Sequence, residues 1–264
     1  MSDKIAQKFS QLKSEAKTAL VSFVMAGDPS LDESESVMET LIDSGTDILE
    51  IGMPFSDPVA DGAVIQNSGR RALKTEIDLN QILGLANRLA NKYQDLPIIL
   101  MGYFNPIHKF GVEEFCQKAK AAGVSGFIIV DLPFEERLRY DEVFKKHDIA
   151  FINLISPNTS LVRASQIVKD AKGFIYYVSV NATTGSQEPV IQDIKSNLAN
   201  IRTITDLPIA VGFGIKTKDQ AKAIGEFSDA IVVGSKYISL LESDAKANIQ
   251  AIKNFNTDLK SSLV

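Results

Sequence analysis

Eight apolar runs, each followed by a stretch of helical character, constrain this chain more than any single motif. The runs lie at 19–25, 47–51, 97–101, 126–130, 149–154, 174–179, 208–211 and 229–233. Helical spacing falls between them at 31–43, 63–73, 79–93, 112–121, 134–146, 159–170, 190–204 and 217–224, and a long helix spans about 238–260. The runs are continuous rather than alternating, which suits parallel strands buried on both faces. Helix–glycine–strand punctuation recurs at Gly45, Gly123 and Gly225. Asp-Leu-Pro-Ile recurs at 95–98 and 206–209, and no low-complexity linker divides the chain. Eight βα units in 264 residues predict an α/β fold, a TIM (β/α)8 barrel forming a single domain over 1–264. Ile5, Phe9 and Leu12 give 3–16 an amphipathic pattern, so an extra N-terminal helix precedes the barrel. A doubly wound open sheet is the competing topology.

Composition narrows the chemistry. At 45% hydrophobic and 23% charged, the chain is of ordinary globular type. No run approaches the roughly 18 apolar residues of a membrane span, and the N-terminus lacks the apolar core of a signal peptide. A cytoplasmic location is the default expectation. A net charge of −5 without a basic block argues against nucleic acid as main partner. The one cysteine, Cys116, sits among helix formers and reads as a packed or surface thiol. The two histidines, His108 in a loop and His147 at a helix end, have no ligand cluster around them, so no metal is expected. Acid–base work then falls to carboxylates.

One carboxylate interrupts an apolar run. Glu50, in Asp47-Ile48-Leu49-Glu50-Ile51, shares a strand face with Ile48 and so points the same way, into something dry. Its pKa should rise. Asp61 follows on a loop that Pro54, Pro58 and Gly62 make irregular. A carboxylate on a strand end and another on the next loop form a plausible acid/base pair. Each also has a plain reading, Glu50 as a paired structural carboxylate and Asp61 as half of a common Asp-Gly turn. Asp57 reads as a turn residue, and Asp131 as a helix-cap residue or an acceptor for a neighbouring loop. Tyr103, Asn105 and Tyr176 also fall near strand ends, where barrels carry function.

Glycine-rich loops follow the last three strands: Thr184-Gly185, Gly212-Phe213-Gly214 and Gly234-Ser235. Loops after the seventh and eighth strands form the phosphate site of many barrels, because glycine lets backbone N–H groups approach an anion. Neither GxxxxGK[ST] nor GxGxxG is present, so no nucleotide triphosphate or dinucleotide is suggested.

The run Glu50-Ile51-Gly52-Met53-Pro54-Phe55-Ser56-Asp57-Pro58-Val59-Ala60-Asp61-Gly62, with Ile65-Gln66, resembles the signature of the tryptophan synthase α subunits. Further blocks agree along nearly the whole chain: Met25-Ala26-Gly27-Asp28-Pro29, Asn105-Pro106, Asp131-Leu132-Pro133, Ser156-Pro157, Thr184-Gly185, Gly212-Phe213-Gly214-Ile215 and Gly234-Ser235. The resemblance implies a lyase that reversibly cleaves indole-3-glycerol phosphate to indole and glyceraldehyde 3-phosphate by a retro-aldol reaction. It implies that Glu50 is the general acid/base and that Asp61 accepts from the indole N–H. Phe23, Leu100, Tyr103, Ile128, Leu154, Tyr176 and Phe213 would line the indole slot, with barrel core as their plain reading. Thr184 would contact Asp61, and Gly185, Gly214, Gly234 and Ser235 would hold the phosphate. No cofactor is implied in this subunit. The implied partner is a PLP-dependent β subunit in an α2β2 assembly, facing the loop at 54–61 and the segment after the third strand.

Two departures stand out. Where the family usually has Arg, a small residue and Gly after the sixth strand, this chain has Val180-Asn181-Ala182, and Ala63 stands where Pro is common. The first departure lies in the segment expected to close over substrate, so lid ordering and coupling to the β subunit are expected to differ while the chemistry survives. A ligand-binding regulatory subunit with little turnover, a stand-alone indole-glycerol phosphate lyase and a sugar phosphate isomerase are the competing functions.

Overall fold

The computed structural model describes residues 3–178, 191–212, 214–242 and 245–263. Its strands are β1 (Ala19–Met25), β2 (Ile48–Gly52), β3 (Ile98–Gly102), β4 (Gly126–Ile129), β5 in two segments (Ala150–Phe151 and Asn153–Ile155), β6 (Ile175–Val178), β7 (Ile209–Gly212) and β8 (Ala230–Val233). Each pairs in parallel with its sequence neighbours, and β1 also pairs with β8. β5 bonds β4 through its first segment and β6 through its second, which closes the ring. Ile152, between the segments, still donates to the Phe127 carbonyl at 2.8 Å. The sheet is therefore a barrel and not an open doubly wound sheet.

Period two divides each strand between two layers. Val21, Ile48, Ile99, Ile128, Ile152, Tyr176, Ala210 and Val232 fill the interior. Leu20, Leu49, Leu100, Phe127, Phe151, Tyr177, Val211 and Ile231 face outward into the layer covered by helices. Helix α1 (Lys4–Ser14) plugs the N-terminal end of the barrel. Asp3 caps it by accepting from the N–H groups of Ile5 and Ala6 at 3.0 and 3.2 Å. Its buried stripe of Ile5, Phe9 and Leu12 joins the interior cluster, and Phe9 meets Phe174 at 5.7 Å between ring centroids.

The outer helices are α2 (Leu31–Asp43), α3 (Ala63–Leu73), α4 (Leu79–Lys92), α5 (Phe104–Phe110), α6 (Val112–Ala121), α7 (Phe134–Arg137), α8 (Asp141–Lys146), α9 (Leu161–Val168), α10 (Ile191–Arg202), α11 (Lys218–Gly225), α12 (Ser235–Leu241) and α13 (Ala245–Lys260). Three differ from the sequence expectation. α5 occupies what reads as a loop, and it contains His108. Pro106 sits in its first turn, where a missing N–H leaves no helical bond unmade. The expected helix 134–146 is broken by a 3-10 turn, Leu138–Tyr140. The break follows Arg137, which is buried with its guanidinium 5.1 and 5.4 Å from the rings of Phe134 and Phe151. The expected long final helix is two elements, α12 and α13, which pack through Tyr237 and Phe255 at 5.7 Å. Cys116 is fully buried, and burial pushes its thiol up to about 12. His147 caps the end of α8, half-buried, with Nε2 2.9 Å from a Glu113 carboxylate oxygen.

Candidate active site

Glu50 lies on β2 between Leu49 and Ile51, and its Cα pairs across the sheet with Phe23 on one side and Ile99 on the other. Its side chain points into the barrel and is fully buried. Neither carboxylate oxygen has a hydrogen-bond partner among the described residues. Burial alone pushes its pKa up to about 8, because a charge there has lost water without gaining a counter-charge. Burial, and after it the charge of nearby Glu50, holds the phenol of Tyr176 on the interior face of β6 well above its ordinary range. The strand alternation that sets Glu50 inward is the one read from the sequence.

Asp61 lies on the loop between β2 and α3. Burial raises its pKa to about 6, and a hydrogen bond with Tyr103 pulls it back down. The loop carboxylate is thus less solvated than its Asp-Gly context suggests, yet it remains largely ionised at neutral pH. The Tyr103 hydroxyl also accepts from the Ala60 N–H at 3.0 Å, and its ring contacts Phe55 at 5.2 Å. Asp131 accepts from the first N–H of α5, that of Phe104, at 2.7 Å, so it serves as an acceptor for the neighbouring segment. Asp57 accepts from its neighbour Ser56 at 2.6 Å, a turn contact.

Phe23, Asp61 and Tyr103 come together around a crevice of about 10 Å3, with Met25, Gly52, Met53, Ile65, Met101, Gly102 and Val130 completing its wall. That volume holds about one water, so side chains must shift to admit a ring system. Two glycines show how tightly the aromatic floor is seated. A Cβ on Gly52 would stand 2.7 Å from the Phe23 ring, and one on Gly234 would stand 2.9 Å from Phe23. A much larger cavity, about 940 Å3, opens around α1 at the other end of the barrel and contains neither Glu50 nor Asp61. The small crevice is the one that Asp61 borders, and Glu50 lies buried on β2 two residues before Gly52 of its wall, at the C-terminal ends of the strands where barrels carry function.

The expected slot residues divide. Phe23, Ile128, Leu154 and Tyr176 face the interior, and Tyr103 borders the crevice. Ile128 is one interior layer deeper than Val130, which reaches the crevice. Leu100 requires a correction: its side chain is fully buried in the outer layer, under the helices. The inward position is Met101, one residue on, because a one-residue shift along a strand reverses the face. Sequence reasoning missed Met101 and Val130, because the register that carries the inward face from Glu50 on β2 across β3 to β4 has no mark in those apolar runs. Gly214 adopts φ +71° after β7 with open space where a Cβ would be. Gly234 and Ser235 open α12 directly after β8. Thr184, Gly185, Phe213 and the Val180-Asn181-Ala182 segment lie outside the described residues. Among the described residues, no group of three or more His, Cys, Asp or Glu side chains gathers as a metal site.

Comparison with known proteins covers nearly the whole chain. The family model described as tryptophan synthase alpha chain matches residues 9–263. The tryptophan synthase alpha chain of Thiobacillus denitrificans is 41% identical over 258 residues, covering 97% of this chain and 94% of that one. The crystal structure of tryptophan synthase subunit alpha from Legionella pneumophila superposes with a TM-score of 0.93 at 35% identity, over 100% of this chain and 99% of that one. A chain in a structure of Mycobacterium tuberculosis tryptophan synthase superposes with a TM-score of 0.91 at 25% identity, over 100% and 99% of the two chains.

Proposed function

The chain belongs to the tryptophan synthase alpha chain family, and from that premise we propose that Glu50 and Asp61 divide the chemistry between them. The activity is that of a carbon–carbon lyase, the reversible retro-aldol cleavage of indole-3-glycerol phosphate to indole and glyceraldehyde 3-phosphate. The family carries no cofactor in this chain, and PLP belongs to its β subunit.

Glu50, with a pKa of about 8, holds its proton at neutral pH. It gives that proton to indole C3, leaving a cationic ring and a carboxylate. The carboxylate then takes the proton from the glycerol hydroxyl. The new carbonyl forms as the carbon–carbon bond breaks, and the bonding pair returns to the ring. Glu50 ends as it began. Asp61, ionised above about pH 6, accepts from the indole N–H and stabilises the positive ring in between. Phe23, Tyr103, Tyr176 and Met101 enclose the ring, and Gly214, Gly234 and Ser235 hold the phosphate, together with Thr184, Gly185 and Phe213 by family resemblance.

The observation that carries this reading is a fully buried Glu50 carboxyl with no partner among the described residues, an arrangement a purely structural carboxylate would avoid. Glu50→Gln should abolish indole release from indole-3-glycerol phosphate, with or without a β subunit. Retained turnover in that variant would remove Glu50 from the reaction.

Assembly is part of the same proposal. Tryptophan synthase structures among the fold matches imply a β partner, and the expected form is an α2β2 assembly. The loop at 54–61 and the segment after β3 would face that partner, and Val59 stands 84% exposed on that loop. The whole chain, 1–264, acts as one barrel domain in this reading, in the cytoplasm. Among the described residues no helix is long and apolar enough to cross a membrane.

A further inference from the structure

Gln66 belongs to the signature stretch but takes no part in the chemistry above. It lies on α3, just beyond the loop that carries Asp61. Its side-chain Nε2 reaches back to the Asp61 carbonyl at 2.9 Å and the Pro58 carbonyl at 3.4 Å. Its Oε1 accepts from Arg70 Nη2 at 3.3 Å, one helical turn on. Two carbonyls at one end and a guanidinium at the other fix which way the amide faces. From the opposite side, Tyr103 holds the Ala60 N–H at 3.0 Å and bonds the Asp61 carboxylate. Within the loop, the Asp61 N–H bonds the Pro58 carbonyl at 3.1 Å, so Gln66 reinforces both ends of that turn.

Packing does little to hold this loop. Ser56, Asp57, Val59 and Ala60 are exposed, and a Cβ on Gly62 would meet nothing within 4 Å. Polar contacts from the flanking elements therefore decide where Asp61 sits. We propose that Gln66 is a positioning residue for Asp61, clamping the backbone of the carboxylate's loop from α3 while Tyr103 clamps it from the junction between β3 and α5. The inference rests on the role proposed for Asp61. A transition-state charge is stabilised only at the right place, and a displacement of about 1 Å can lower a rate by as much as 100-fold. Ground-state binding of the rest of the substrate does not depend on it.

The test uses the full chain and indole-3-glycerol phosphate, with Gln66→Met to remove the donor and keep the bulk. Gln66→Glu serves as a second variant, since it keeps the shape but offers the carbonyls no donor at neutral pH. Roughly tenfold or greater loss of kcat is expected, with KM within about twofold and faster hydrogen exchange at the Val59, Ala60 and Asp61 amides. The double variant Gln66→Met/Asp61→Asn should be no slower than Asp61→Asn alone, because Gln66 acts through Asp61. Unchanged kcat, or losses that multiply in the double variant, would overturn the proposal. If Asp61→Asn alone keeps wild-type kcat, the role of Asp61 fails instead. Loop exchange then decides the clamp by itself, and wild-type exchange rates in Gln66→Met would end it.

Discussion

The role proposed for Glu50 brings a liability in the same atoms. Unfolded, its carboxyl titrates near 4.5, and folded near 8. Between those values the folded chain keeps a proton that the unfolded chain gives up. Stability is therefore lost as pH rises from about 4.5 to about 8 and is level above that. At pH 7 the penalty is about 3 kcal/mol. Glu50→Gln should accordingly be inactive yet more stable than wild type by up to about 3 kcal/mol near pH 7, with the gap closing at pH 4.5, as read by urea melts at both pH values. Activity follows both carboxylates. In the proposed mechanism catalysis needs Glu50 protonated and Asp61 ionised, so kcat/KM should fall below about pH 6 and again above about pH 8, and Asp61→Asn should remove the acid limb. Glu50 was legible in the sequence because a charge in an apolar run marks its own face. Leu100 was not, because Ile98-Ile99-Leu100-Met101 offers no polar residue to mark which side faces in.

The helices α2, α4 and α10 were legible and the short α5 was not, for a physical reason. α2, α4 and α10 span 13, 14 and 12 residues, enough turns to show a buried stripe. α5 has seven residues and opens with Tyr103, which makes no side-chain cap bond. Its first N–H is satisfied instead by Asp131, 27 residues away, and such a partner has no local signature. α1 is the opposite case: its Asp3 cap and its Ile5, Phe9 and Leu12 stripe are both written locally. That stripe seals the floor of the barrel, far from the crevice. Phe9→Ala should therefore cost about 3–5 kcal/mol of stability in denaturant melts, with kcat for indole release within about twofold of wild type below the melting temperature.

At the scale of the molecule, the barrel separates its duties by end. The floor, closed by α1, serves stability, and the mouth carries Glu50, Asp61 and the exposed loop at 54–61. If the mouth is the partner's docking face, Val59→Asp should raise the β-subunit concentration needed for half-maximal activation roughly tenfold in a titration. Closure of the eight-strand ring was legible from the count of βα units. The interior arrangement also follows from α1, and it has a consequence for traffic. Among the described residues α1 covers the base of the barrel interior, so in the proposed reading arrivals and departures share the mouth as one doorway and must take turns. Whatever sits over that doorway decides whether the smaller fragment escapes to bulk water or is handed onward.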